Sequence, residues 1–282
     1  MGDPHLVHRG GRSHQGLRRD LAAVLDLERL EEDLFRGRNA DHGNRSTLYG
    51  GQVAAQALVA AAATVDEVRV PHSFHGYFLR AGRPELPVVL RVDRDRDGRS
   101  FSARHVVAIQ DGAVIFSMIT SFHAERPSGT VDEAPRRAAV DPEQARVSAW
   151  DPLLDVREVT PTDFVEGVFS DCVWVRSVVP LPDDPVIQAA GLTYLSDLGS
   201  GFGQRHDPDL GQGGASIDHS MWFHEPIRSD DWVLLDLRPS KARALRGLYH
   251  GSLRDRAGAL GATLQQEMLL LHRAPSVPPE ER

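Results

Sequence analysis

The sequence predicts an α+β chain made of two copies of one unit, each an antiparallel sheet curled around a buried helix. Three observations carry this. GQVAAQALVAAAATV (51–65) is apolar nearly all round, the mark of a helix enclosed on every side. Four β-rich runs follow it, each closed by turn residues. The second half then repeats the first. Phe78 in HGYFLRAG matches Phe223 in SMWFHEPI at an offset of 145, LPVVLRV (86–92) matches DWVLLDL (231–237) at 145, and Asp111-Gly112 matches Ala257-Gly258 at 146.

Taken in order, residues 1–20 are rich in Gly, His and Arg without periodicity and read as a disordered leader. From Asp20, LAAVLDLERLEEDLF sets Leu21, Val24, Leu25, Leu27 and Leu30 at amphipathic helical spacing. RGRNADHGNRSTLYGG is a loop by its Gly, Asn and Asp content, and the buried helix follows. PHSFHGYFLRAG, LPVVLRVDRDRDG, SFSARHVVAIQDG and AVIFSMITSFHA are the four strands, with a hairpin at the Asp111-Gly112 step. The first unit therefore spans 21–124. Residues 125–165, mixed Pro, Ala and charge, read as a surface linker. The second unit spans 166–273, the counterpart of the Gly50-Gly51 helix entry falls near Ser196-Asp197, and AAGLTYLSDLGSGFG is expected to begin or carry its buried helix; 274–282 is a tail.

Composition narrows the chemistry. The chain has 282 residues, of which 41% are apolar and 26% charged, a globular profile. A single cysteine, Cys172, excludes an intrachain disulfide, a CxxC pair and a Cys-rich zinc site. The single lysine, Lys241, lies in no GxxxxGK[ST] word, which excludes a P-loop. A net charge of -8 argues against nucleic-acid binding. No window of 18 apolar residues predicts a membrane span, and MGDPHLVHRGGRSHQGLRRD lacks the apolar core of a signal peptide, so a cytoplasmic location is expected. His72 and His75 are three apart on a strand and His219 and His224 five apart, so each pair faces opposite ways and no metal is expected.

LYGGQVAAQAL, HSFHGYFLRAG, RDGRSFSARHVVAIQDGAVIFSM, YLSDL, SIDHSMWFHEP and the terminal ATLQQE, six blocks in order over about residues 22–272, resemble the acyl-CoA thioesterase II family. The resemblance implies a double hotdog fold, hydrolysis of acyl-CoA to free fatty acid and CoA, no cofactor, and a dimer of double hotdogs. It also implies a water activated by an Asp, a hydroxyl residue and a Gln of the second unit, here Asp197, Ser216 and Gln265. The family more often has Thr where this chain has Ser216. At the third position Gln265-Gln266-Glu267 stands in place of a Q-E-G word. Alternation along the last strand sets Gln266 on the apolar face with Leu264 and Met268, and Gln265 on the other. The family word selects Gln265, with the register to Gln266 open.

The chemistry suits these residue types. A thiol with a pKa of about 8.5 leaves without a strong acid, so a positioned water, a base and an oxyanion donor suffice. Gly50, Gly51 and the Gly199–Gly203 stretch are candidate oxyanion donors; Arg99 and Arg104 are candidate contacts to CoA phosphates. Two rivals stand beside this reading. A hotdog hydratase would need a His with a nearby Asp on the loop before the helix, and no such word is present. A non-catalytic acyl-CoA-binding or regulatory protein would hold its ligand uncleaved.

Overall fold

Two helices made mostly of small side chains allow one continuous sheet to close around them. The computed structural model describes residues 20–271 apart from 44, 67, 127–128, 149–150, 160–171, 200 and 203–211. The expected leader, apart from Asp20, and the expected tail lie outside the described residues. The elements are α1 (Leu21–Leu25), β1 (Glu28–Glu31), β2 (Leu34–Gly37), α2 (Gly50–Ala62), β3 (Arg69–Phe78), β4 (Val88–Asp97), β5 (Phe101–Gln110), β6 (Ala113–Ala124), β7 (Arg146–Ser148), β8 (Leu154–Glu158), β9 (Cys172–Ser177), α3 (Pro185–Ser196), β10 (Gln212–Ser216), β11 (Asp218–Phe223), β12 (Val233–Arg243), β13 (Arg246–Asp255) and β14 (Leu260–Leu271).

The strand order β1-β2-β4-β5-β6-β3-β11-β14-β13-β12-β9-β8-β7, with β10 beside β14, shows the duplication directly. Reading outward from the centre, β3-β6-β5-β4-β2 on one side answers β11-β14-β13-β12-β9 on the other. The two halves join through the antiparallel pair β3–β11. An antiparallel pair related by a two-fold must contain a residue that faces its own counterpart. His75 faces Ser220, 145 residues later, and their side chains meet at 3.1 Å. The strand offset read from sequence is therefore the symmetry of the molecule.

Turn chemistry behaves as expected at Asp111-Gly112, where φ is 47° and 73°, the left-handed pair that matches strand twist. Three expectations are corrected. The first helix stops at Leu25, with Asp20 accepting from the Ala23 N–H, and residues 28–37 form a hairpin instead. Its strand β2 covers the open edge of β4 and buries Phe35, a demand that outweighs helical spacing. The linker contains β7 and β8, which extend the second half's sheet. It is also pinned to that half by Arg254 on Asp132 and by Trp174 Nε1–H on the Val140 carbonyl. Lastly, α3 ends rather than begins at Ser196. Its start is signed by Asp184, which accepts from the Val186 and Ile187 N–H groups, and by Pro185 in the first turn. Among the described residues no helix is long and apolar enough to cross a membrane.

Arg104 also departs from expectation. It is 1% exposed, and its guanidinium donates to Thr64, to the Arg96 and Ala103 carbonyls and to Asp97, locking the end of α2 to the β4–β5 hairpin. It cannot reach a phosphate in solvent. Arg99 is exposed, but the Gly98 carbonyl beside it is held by Arg69 at the start of β3, whereas Phe78 at the other end of that strand lies beside Gly50 at the start of α2. Replacing Arg104 by Ala strands several buried acceptors and is expected to lower stability by about 3 kcal/mol, whereas Arg99→Ala stays within about 0.5 kcal/mol. Urea denaturation midpoints of the two variants check this; equal losses would show that Arg104 does not hold the hairpin.

Candidate active site

The site grows out of the meeting of two helix ends. α2 begins at Tyr49 without a side-chain cap, so its first N–H groups are left to other acceptors. α3 ends with Asp197 as its C-cap. The two ends touch because α2 opens with Gly50-Gly51. A Cβ added at Gly50 would lie 2.7 Å from Asp197 Oδ2, and one at Gly51 would lie 2.7 Å from the Tyr194 carbonyl oxygen. The close approach brings the Gly51 N–H to the Asp197 carboxylate, where it favours the ionised form.

Strands of the second half supply the rest. Ser216 ends β10, just before Ile217 breaks the run into β11, and its hydroxyl stands 3.5 Å from Asp197 Oδ1. Gln266 comes from the inward face of β14 and is 1% exposed. Its Nε2 donates to Asp197 Oδ1 at 2.9 Å and to Ser216 Oγ at 2.6 Å. Gln265, selected by the family word, points outward and pairs on the exposed face with Ser220 and His250. The amide that meets Asp197 and Ser216 is thus Gln266. Strand alternation had signalled this, because Leu264, Gln266 and Met268 are buried together.

A further residue lay unrecognised in the HSMWFH word. His219 is fully buried, and burial lowers its pKa below the ordinary 6.5 against the opposing influence of Asp197 and Gln266. The ring is neutral. Gln266 Oε1 can only accept, so Nδ1 carries the proton of that pair, and Nε2 lies 2.7 Å from Ser196 Oγ, whose hydroxyl also reaches the Thr193 carbonyl at 2.8 Å. That tautomer fixes which way the Gln266 amide points. With its oxygen held by His219, the NH₂ end must face Asp197 and Ser216.

The cavity in front of this group has a volume of about 390 Å³. Asp197 and Ser216 line it together with Gly50, Phe78, Arg80 and Leu269. Burial raises the Asp197 carboxyl above the ordinary 3.8, opposed by His219, Gln266, Gly51 and Ser216. Among the described residues no group of three or more His, Cys, Asp or Glu is placed to hold a metal.

A carboxyl raised in the folded state contributes stability that is complete below its unfolded pKa and is lost as pH rises through the folded one. Relative to Asp197→Asn, the parent is therefore expected to lose thermal stability as pH rises from the ordinary carboxyl range through the raised folded value. Melting temperatures of both proteins across that range test it, and a constant gap would show an ordinary carboxyl.

Comparison with known proteins gives one answer. Residues 39–123 match the family described as acyl-CoA thioesterase N-terminal domain, and 151–269 match the family described as acyl-CoA thioesterase. Acyl-coenzyme A thioesterase 8 of Mus musculus is 34% identical over 95% of this chain and 94% of its own length. Acyl-CoA thioesterase 2 of Haemophilus influenzae is 33% identical over 89% and 96%. The crystal structure of an acyl-CoA thioesterase II from Mycobacterium marinum superposes with a TM-score of 0.78 at 37% identity, covering 92% of this chain and 99% of that one. A hot dog fold protein from Alicyclobacillus acidocaldarius, at 20% identity and a TM-score of 0.77 over 90% of this chain and 98% of that one, has the same fold. With its duplicated sheet wrapped on two buried helices, the chain belongs to the acyl-CoA thioesterase family and is a double hotdog thioester hydrolase.

Proposed function

We propose that this hydrolase splits fatty acyl-CoA at the cavity of Asp197, using water held between Asp197 and Ser216. The observation that carries the reading is the convergence of residues 197, 216 and 266, far apart in the chain, where α2 presents an uncapped N-terminus. Asp197 takes a proton from the water as its oxygen attacks the thioester carbonyl. The developing oxyanion lies near the first N–H groups of α2, with Gly50 as the proposed donor, where the helix dipole favours negative charge. The tetrahedral intermediate collapses, the C–S bond breaks and CoA departs as thiolate, later taking up a proton. Gln266 holds base and hydroxyl in register, and no cofactor or metal enters the scheme. The reading also includes a cytoplasmic setting and a dimer of double hotdogs. Exposed Tyr77, Ile119 and Trp222 on the outer face of the central strands support that pairing.

One observation bears on the hydratase rival. His42 on the loop before α2 does meet an Asp, with Nδ1 at 3.2 Å from Asp151 Oδ2. Both are buried, at 6% and 0% side-chain exposure, beside the Tyr49 and Tyr194 rings, and neither lines the cavity. Such a pair cannot hand a proton to a bound enoyl group, so hydrolysis is favoured over hydration.

Release of thiol from a series of acyl-CoA esters, read with a trapping dye, is the test. Asp197→Asn is expected to slow kcat by about 10²–10⁴-fold. Ser216→Ala and Gln266→Ala remove orienting bonds and cost less than the Asp change, while Gln265→Ala turns over like the parent. Because the base must be ionised, the parent's rate falls on acidification, with an apparent pKa above 3.8. A parent-like Asp197→Asn, or a Gln265→Ala loss matching that of Gln266→Ala, would overturn the assignment.

A further inference from the structure

The duplication places a second cavity, of about 350 Å³, at the counterpart of the hydrolytic one. It uses the same elements with the halves exchanged: the start of α3, the segment after β11, and the ends of β3 and β6. Strand pairing identifies each counterpart. Ser216 faces Met268 next to the break at Ile217, as Pro71 faces Phe122 next to the irregularity at His72. Ser220 faces Gln265 as its counterpart His75 faces Ile119, which makes Thr120 the counterpart of Gln266. The C-cap of α2, where α3 has Asp197, is Ala63. Base, hydroxyl and amide are thus replaced by Ala63, Pro71 and Thr120.

One more position changes with them. Leu79 donates its N–H to the Ile115 carbonyl as His224 donates to that of Gly261, so Glu225 is the counterpart of Arg80. Arg80 is the one cation among the described residues lining the hydrolytic cavity. It is exposed, one of its Nη1 hydrogens goes to the Val114 carbonyl at 2.8 Å, and no carboxylate among the described residues pairs with it. The second cavity carries Glu225, Glu125, Asp183 and Asp184 instead. Its lining arginine, Arg228, is already committed to Asp230 and Asp183, and its helix start is capped by Asp184. The two cavities thus differ in charge at their mouths as well as in their catalytic groups.

We propose that Arg80 binds the phosphates of the CoA moiety at the mouth of the hydrolytic cavity, and that Glu225 and its acidic neighbours keep anionic acyl thioesters out of the second cavity. The proposal rests on the Asp197 cavity being the hydrolytic site. On a chain of net charge -8, a polyanionic substrate needs a local cation, and the planar guanidinium fork matches phosphate oxygens. Arg80 touches the half of the substrate that distinguishes acyl-CoA from a shorter thioester. It takes no part in the attack on the carbonyl.

The experiment compares acyl-CoA with the S-acyl-pantetheine of the same chain, which lacks every phosphate. Arg80→Ala is expected to raise KM for acyl-CoA about threefold and Arg80→Glu about tenfold, with kcat held, while acyl-pantetheine kinetics stay within about twofold. The parent's preference for acyl-CoA shrinks as salt is raised, and that of Arg80→Glu does not. Glu225→Arg, the opposite charge change at the other mouth, is expected to let free CoA bind in a second equivalent that equilibrium dialysis does not find in the parent, and an unchanged stoichiometry would overturn the exclusion. Equal losses on both substrates, an unchanged KM for acyl-CoA, or a gain in Glu225→Arg as large as the loss in Arg80→Glu would overturn the anchor. A parent that cleaves neither ester, or an Asp197→Asn variant that cleaves both like the parent, would instead remove the hydrolytic reading on which it rests.

Discussion

Everything at the site depends on how closely the start of α2 approaches the end of α3. Peptide atoms of one helix stand where side chains would normally keep two helices apart, and only Gly50 and Gly51 make room. The approach settles an electrostatic difficulty. Asp197 caps the C-terminus of its own helix, where the dipole disfavours an anion, and burial disfavours it further. The positive end of α2 and the Gly51 N–H offset this only in part, so the carboxyl stays above its ordinary pKa. A carboxylate whose affinity for a proton is raised by burial is a better base than a solvated one.

Behind the carboxylate, a buried polar chain removes a second ambiguity. An amide can present either end, and Gln266 serves the site only if its NH₂ faces Asp197 and Ser216. A His219 proton on Nδ1, facing Gln266 Oε1, matches that choice, and Ser196, from the last turn of α3, lies against the other ring nitrogen. In a low-dielectric interior, leaving either end unpaired costs about 1–3 kcal/mol, so the network has one satisfied arrangement. The residues on which the reaction turns thus include several that substrate never touches.

How far the sequence discloses all this depends on how far each signal reaches. The strands were legible because alternation and turn residues are local, and Asp111-Gly112 takes the left-handed pair its type demands. Their repeat was legible because paired strands cannot shift register freely, so an offset of 145 to 146 holds across the sheet. The helices do not share that offset: α2 begins at 50 and α3 at 185, a difference of 135. The connections between helix and strand differ in length between copies, and carrying 145 across them misplaced α3, although Asp184-Pro185 marked its start. The short α1 was misread because apolar spacing over a few residues cannot tell a helix from an edge hairpin. Gln266 was legible from alternation and was displaced by the family word. His219 left no signal, since its role lies in which neighbour its second nitrogen meets.

Duplication also explains why one cavity keeps the reactive groups and the other does not. Each cavity takes its helix N-terminus from one half and its strand residues from both. A change in either half therefore alters both cavities, but at different parts. Losing a carboxylate at the C-cap of α2 disarms only the second cavity, and capping α3 with Asp184 closes only that cavity's helix start. The first half could then specialise in presenting the open N-terminus of α2, and the second in presenting Asp197, Ser216 and Gln266. Separating the halves would remove the Gly51 donor from Asp197 and bare the apolar contact between α2 and α3. The covalent pair is thus the smallest unit in which this site is complete.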